Sequence, residues 1–232
     1  MEISYRLNQI ADMVSKGNAV ADIGTDHAYV PIKLVLEKKM KSALAMDVGQ
    51  GPLERAREHI EQYGLTDCIT CRLSDGLQKL QTDEADTIVI AGMGGDLISR
   101  ICKQDEQRFF GNKEFILQPQ SEYYKVRKQI HAMGYAIVEE RNFIDEGKYY
   151  VCIKAQPGQE SYDNWCEYVY GRFLLIQQDS VLKEHILKKL QNLTQIEKQI
   201  NTMSGNNTKS LQKLEEIATD KQLIQEALEY WR

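Results

Sequence analysis

Val20-Ala21-Asp22-Ile23-Gly24-Thr25-Asp26-His27-Ala28-Tyr29 is the stretch on which the fold turns. An apolar β-type run ends at a glycine, and polar residues then lead into a helix-type pattern. Glycine at a strand-to-helix turn takes positive φ and lets the backbone come close to a ligand. A dinucleotide pyrophosphate requires G-x-G-x-x-G, with amides and a helix N-terminus aimed at negative charge. Here a single glycine is flanked by Asp22 and Asp26, which would repel a pyrophosphate.

Outward from that turn, the chain to about Ala155 alternates β-rich runs with helix-period stretches, predicting a parallel sheet with helices on both faces. The runs are residues 19–23, 42–46, 69–73, 87–91 and 114–117, and Thr87-Ile88-Val89-Ile90-Ala91 has the unbroken apolarity of a strand covered on both faces. A helix is predicted over 122–133, then strands over 135–144 and 149–154 joined by Asp145-Glu146-Gly147-Lys148, which reads as an antiparallel hairpin. A mostly parallel sheet closing in a hairpin points to the seven-stranded, Rossmann-like class I methyltransferase fold. From about Ser161 the β signal stops. Leu182, Ile186, Leu193, Ile196, Ile200 and Met203 keep a 3/4 apolar spacing, as do Leu214, Ile217, Ile224, Leu228 and Trp231, with the turn cluster Ser204-Gly205-Asn206-Asn207 between them. This predicts an antiparallel helical hairpin of coiled-coil type whose seam Lys189 and Lys221 interrupt, and two domains, 1–160 and 161–232.

A ligand carrying an ammonium and a sulfonium would welcome Asp22 and Asp26, and S-adenosylmethionine is such a ligand. Asp47 ends the second strand about 20 residues beyond the glycine turn, where a carboxylate accepts both ribose hydroxyls of an adenosine; a helix N-cap before Gly51-Pro52 is the alternative. Asp75, just past the third strand, is placed to accept from an adenine amino group, with Gly76 keeping the loop near the base; a plain Asp-Gly turn is the alternative. Gly92-Met93-Gly94-Gly95 follows the fourth strand and makes a side-chain-poor shelf at the carboxyl edge of the sheet. The Asn/Asp-Pro-Pro-Tyr/Phe run that holds exocyclic amines is absent there. The shelf suits a flat base presenting a ring nitrogen, with Met93 as an apolar wall.

Composition narrows the class. In 232 residues, 42% apolar and 27% charged, no run is long and apolar enough for a membrane helix, and Met1-Glu2-Ile3-Ser4-Tyr5-Arg6 lacks a signal-peptide core. Five scattered cysteines suit reduced thiols in a cytoplasm, and Cys68-x-x-Cys71 has no second pair to complete a metal site. A net charge of -5 excludes a uniformly basic nucleic-acid binder but not local patches. Lys38, Lys39 and Lys41, Lys125 with Arg127 and Lys128, and Lys188 with Lys189 are candidate phosphate contacts or simply solvated helix faces.

Together D-I-G-T-D-H-A-Y-V-P (22–31), A-M-D-V-x-x-G-P-L (45–53), L-S-D-G-L (73–77), I-A-G-M-G-G (90–95), L-Q-P-Q (117–120) and Y-Y-V-C-I-K (149–154) resemble the bacterial tRNA (adenine(22)-N1)-methyltransferase family, and the resemblance covers the whole chain. It implies methyl transfer from S-adenosylmethionine to N1 of an adenine in the D-arm region of tRNA. By motif, the family's cofactor contacts fall on Asp22, Gly24, Asp26, Asp47, Val48, Asp75, Gly76, Gly92 and Met93, and the C-terminal hairpin would help hold the tRNA. Methylated adenine is cationic, so a carboxylate at the pocket mouth would favour the transition state, and Asp26 is the candidate. His27 could orient the base or cap the following helix, and Tyr29 could stack on the base or sit in the core. A monomer without metal or membrane is expected. The alternatives are a class I methyltransferase-fold protein acting on another RNA or protein, and a non-catalytic RNA-binding module.

Overall fold

The computed structural model describes residues 1–104, 113–203 and 208–232. It divides into two compact units, Met1–Ser161 and Tyr162–Arg232. The first is built on a seven-stranded sheet: β1 (Ala19–Ile23), β2 (Ser42–Asp47), β3 (Ile69–Leu73), β4 (Thr87–Met93), β5 (Glu114–Pro119), β6 (Tyr135–Asp145) and β7 (Lys148–Pro157). Their order is β3-β2-β1-β4-β5-β7-β6. β1 to β5 pair in parallel, and β7 runs antiparallel between β5 and β6. The apolar runs read from sequence are these strands. β5 is buried at every position, as a central parallel strand covered on both faces must be.

Helices α1 (Tyr5–Met13), α2 (Tyr29–Leu36), α3 (Gln50–Gln62), α4 (Gly95–Gln104) and α5 (Tyr123–Ala132) flank the sheet. Sequence reading did not single out α1; the Ser4 hydroxyl caps it by accepting from the Leu7 amide at 3.3 Å. One core gathers Ile10 and Val14 near α1, Ile32 and Leu34 of α2, Ala56 and Ile60 of α3, and Val20, Val89 and Ile116 of the sheet. The β6–β7 connection is a two-residue turn with Glu146 at φ 48° and Gly147 at φ 75°, the left-handed pair that matches the twist of a hairpin.

The second unit holds two short helices, α6 (Trp165–Tyr170) and α7 (Arg172–Ile176), and the long pair α8 (Ser180–Met203) and α9 (Thr208–Leu228), ending in a 3-10 turn at Glu229–Trp231. The expected turn at 204–207 lies outside the described residues. Leu182, Ile186, Ile217, Ile224 and Ala227 are buried, but Ile196, expected in the seam, is 40% exposed. A pair of helices by itself cannot enclose its whole apolar stripe. Lys189 and Lys221, which break the apolar spacing, reach across to the facing helix and pair with Asp220 (3.2 Å) and Glu197 (2.5 Å). Trp231 belongs to the 3-10 turn rather than to α9.

Arg127 also departs from expectation. It is no surface phosphate contact but lies fully buried, its Nε 2.8 Å from Glu140 Oε1, joining α5 to β6. Its neighbour Lys125 pairs with Asp96 at 2.6 Å, and Lys39 donates to the Ala11 and Asp12 carbonyls. Breaking a buried ion pair on one side leaves an uncompensated charge. Glu140→Ala is therefore expected to cost about 3–5 kcal/mol of stability, read from the denaturant midpoint. A loss below about 1 kcal/mol, the size of an exposed pair, would contradict this account.

Candidate functional site

The strand order puts β1 beside β4, and from there the sheet is built outward in both directions. Right-handed crossovers then send α2 and α4 to opposite faces, opening a crevice at the carboxyl ends of β1 and β4. Gly24 lies at this point with φ +76°, and a Cβ added to it would come within 2.1 Å of Met93 Cε. The left-handed backbone is what favours glycine there, because the Met93 methyl is the far end of a flexible side chain and can move aside. The Gly24 and Thr25 amides donate to the Met46 carbonyl at 2.8 and 3.0 Å, and the Ser74 amide donates to the Asp47 carbonyl at 2.9 Å. The turns after β1, β2 and β3 are thus laced side by side, which lines up the acids the sequence places at their ends.

Asp22 is 7% exposed. Burial pushes its carboxyl up to about 6; the Thr25 hydroxyl partly offsets this, and the nearby Asp47 charge adds to it. Asp47 does not cap α3, whose N-cap is Gly49. Its Oδ1 instead accepts from the Gly49 amide at 2.6 Å, which fixes the direction of the carboxylate. Val48 is 72% exposed beside it. Asp75 is exposed, while Gly76 is buried at φ +55° against Ile101. Gly92 forms a bulge in β4, where the pairing with β5 shifts register between Ala91 and Met93.

The acid at the mouth is already engaged: Asp26 Oδ1 lies 3.0 Å from Arg55 Nη2 and 3.5 Å from His27 Nε2. His27 stacks on Tyr29 with ring centroids 5.3 Å apart and planes at 14°, and His59 from α3 sits 4.9 Å from His27 and 5.3 Å from Tyr29. His27 does not cap α2, whose N-cap position is Ala28. His27 (φ 61°) and the fully buried Ala28 (φ 54°) are consecutive left-handed residues without being glycine. Such backbone costs on the order of 1–3 kcal/mol per residue and clusters at functional sites.

Sequence reasoning missed Arg55 and His59, which α3 carries to the β1 turn, and it missed Arg6 and Gln118. Gln118, fully buried, accepts from the Gly92 amide at 3.2 Å and from Arg6 Nη1 at 2.9 Å, and donates through Nε2 to the Pro119 carbonyl at 2.9 Å. The L-Q-P-Q run flags Gln118 only through the resemblance, and nothing local links it to a residue 112 positions away. Among the described residues, no group of three or more His, Cys, Asp or Glu could hold a metal ion, and no helix is long and apolar enough to cross a membrane.

The family described as a methyltransferase domain matches residues 3–153 of this chain. The tRNA (adenine(22)-N(1))-methyltransferase of Bacillus subtilis (strain 168) is 32% identical over 235 residues, spanning 99% of this chain and 98% of that protein. The crystal structure of the B. subtilis M1A22 tRNA methyltransferase TrmK superposes with a TM-score of 0.88 at 31% identity, covering 98% of this chain and 99% of that one. A Streptococcus pneumoniae protein solved with S-adenosyl-L-methionine gives 0.85 at 31% identity, covering 98% and 100%.

Because Asp22 holds its proton more tightly in the fold than its ordinary 3.8, the folded state loses stability as pH rises from about 4 through about 6 and is then level. Asp22→Asn removes that slope. It is expected to be more stable than the parent at pH 8 by on the order of 2–3 kcal/mol and to match it near pH 4, as read from denaturation curves. Parallel curves for the two proteins would show that Asp22 is not destabilised by ionising.

Proposed function

Since this chain belongs to the bacterial tRNA (adenine(22)-N1)-methyltransferase family, we propose that it transfers a methyl group from S-adenosylmethionine to N1 of adenine 22 in tRNA. The observation that carries the reading is the cradle at β1: a left-handed glycine turn overlaid by Met93, two residues beyond a buried acid that ionises at a cost. That combination fits a cationic ligand pressed against the backbone.

When bound, S-adenosylmethionine supplies a methyl group made electrophilic by its sulfonium. Asp22 offers the ligand's positive end a buried carboxylate, and Asp47, aimed by Gly49, takes the ribose hydroxyls. Asp75 and Gly76 would hold the adenine, and Val48, Gly92 and Met93 would complete the cofactor's contacts. Adenine N1 already has a lone pair, so the protein needs no strong base; it aligns the base and excludes water. Positive charge grows on the ring as the methyl arrives. Asp26, held by Arg55 and His27, opposes that charge, while His27 and Tyr29 present a stacked aromatic surface to the base.

The second unit holds the folded tRNA in this reading. Lys183, Lys188 and Lys198 of α8 meet no carboxylate within ion-pair distance among the described residues, whereas Lys189 and Lys221 are spent on joining the two helices. The enzyme works as a cytoplasmic monomer.

Incubation with unmodified tRNA and methyl-labelled S-adenosylmethionine is expected to place the label on N1 of adenine 22, mapped by mass spectrometry; label elsewhere, or none, refutes the assignment. Asp47→Ala is expected to weaken cofactor binding at least about tenfold by calorimetry, the loss of one strong charged contact. Asp26→Asn is expected to slow turnover about tenfold at saturating cofactor, roughly 1.4 kcal/mol of barrier. Full recovery of the rate by added cofactor would make Asp26 a binding residue only.

A further inference from the structure

The carboxyl edge of the sheet carries a cation for which the reading above has no use. Leu117 of β5 pairs with Ile153 of β7 and β5 ends at Pro119, so by register residues 148–150 and the β6 segment paired with them run on past the end of β5. This overhang makes a wall beside the Gly92 shelf, and Arg6 of α1 lies against it. The Arg6 backbone amide donates to Asp145 Oδ2 at 3.2 Å, its Cζ is 5.9 Å from the Tyr150 ring centroid, and its Nη1 donates to Gln118 Oε1. A Cβ on Gly92 would be 3.7 Å from that same Nη1, so guanidinium and shelf adjoin. Behind Arg6 the rings are tightly set: Phe143 stacks on Tyr150 at 5.7 Å, and Tyr5 meets Phe143 edge-on at 5.4 Å.

The chemistry of this seat is unbalanced. Arg6 is half-buried, yet among the described residues no carboxylate comes within ion-pair distance of its guanidinium. The groups that hold it are the neutral oxygen of a fully buried glutamine and the face of a tyrosine, which orient a cation without neutralising it. A guanidinium is a planar fork of donors suited to carboxylate or phosphate, and here the fork is held at the edge where the substrate must enter. Contact with the target ring itself is disfavoured, because a cation against a base that is becoming cationic would raise the barrier. A phosphodiester suffers no such penalty.

We propose that Arg6, seated by Gln118 and Tyr150, is a phosphate-binding residue that grips the RNA backbone next to the target nucleotide and so sets the base on the Gly92 shelf. The proposal rests on the tRNA reading given above. It makes the Gln118 side chain a positioning group that serves two masters at once, the bulge in β4 and the clamp on the substrate.

The test compares the full-length protein with Arg6→Gln and Arg6→Lys. Binding of unmodified tRNA is measured by fluorescence anisotropy in the presence of S-adenosylhomocysteine, across about 0.05–0.3 M potassium chloride. Arg6→Gln is expected to weaken tRNA binding about tenfold at low salt and to flatten the log-log salt dependence by about 0.7–0.9, the signature of one lost phosphate contact. Arg6→Lys is expected to restore the slope, and S-adenosylhomocysteine affinity is expected to stay at the parent value in both variants. An unchanged slope in Arg6→Gln overturns the proposal: with a lower turnover it marks a base contact, and with a lower melting temperature a structural brace. If the parent protein itself leaves adenine 22 unmethylated, the family-based reading fails and takes this one with it; an active parent with an unaltered salt slope in Arg6→Gln sinks the phosphate clamp alone.

Discussion

Gly24 takes left-handed backbone at the carboxyl end of β1, and the neighbouring turns are tied to it by main-chain hydrogen bonds. Met93 from the end of β4 lies across the glycine, so the turns after β1 and β4 meet at the place where the sheet reverses its direction of growth. A larger residue there would be strained by the positive φ and would displace the Met93 methyl, beside the acids whose turns the Met46 and Asp47 carbonyls tie together. The Asp22 carboxyl is shielded from water and so resists ionising, and in the proposed function a cationic ligand would restore the balance.

The other half of the edge depends on Gln118 in a similar way. A bulge leaves a backbone amide out of the ladder, and in a buried setting that amide must find an acceptor. Gln118 supplies it and then uses the same oxygen for Arg6. One neutral side chain thereby fixes both the shape of the shelf and the direction of the charge beside it. A glutamate at this position would neutralise the guanidinium, and its oxygens would face the Pro119 carbonyl that the Gln118 amide now serves. Neutral and bifunctional, an amide is the side chain this position needs.

What was legible in the sequence follows from range. The strands could be read because each is a short apolar run bounded by turn residues, and the closing hairpin because Gly147 sits where a two-residue turn needs left-handed backbone. The acids could be read because each stands at or just past the carboxyl end of a strand, so its place on that edge is a local property. Arg55, His59, Arg6 and Gln118 reach the site from elsewhere in the chain, and no spacing rule connects them to it. Arg127 misled because buried and exposed arginines look alike between lysines; only Glu140 from the next strand reveals the difference. Ile196 misled because a 3/4 spacing tells which side of a helix is apolar, while how much of that side is covered depends on how many elements surround it.

The position of α1 also bears on how the chain reaches its folded form. Arg6 is joined to Gln118 and Asp145 across 112 and 139 residues, so although α1 packs against the nearby α2, its Arg6 end waits for β5 and the β6–β7 hairpin. Contacts of such long range form late, because closing the intervening loop costs entropy before any contact repays it. The β1 cradle, whose bonds to β2 span about two dozen residues, is free to assemble earlier. A nascent or clipped chain that stops short of the hairpin therefore has its first three turns in hand but no finished substrate edge. In the proposed reading, the acids that meet the cofactor can be tied together before the substrate edge is finished, because that edge needs residues from both ends of the first unit.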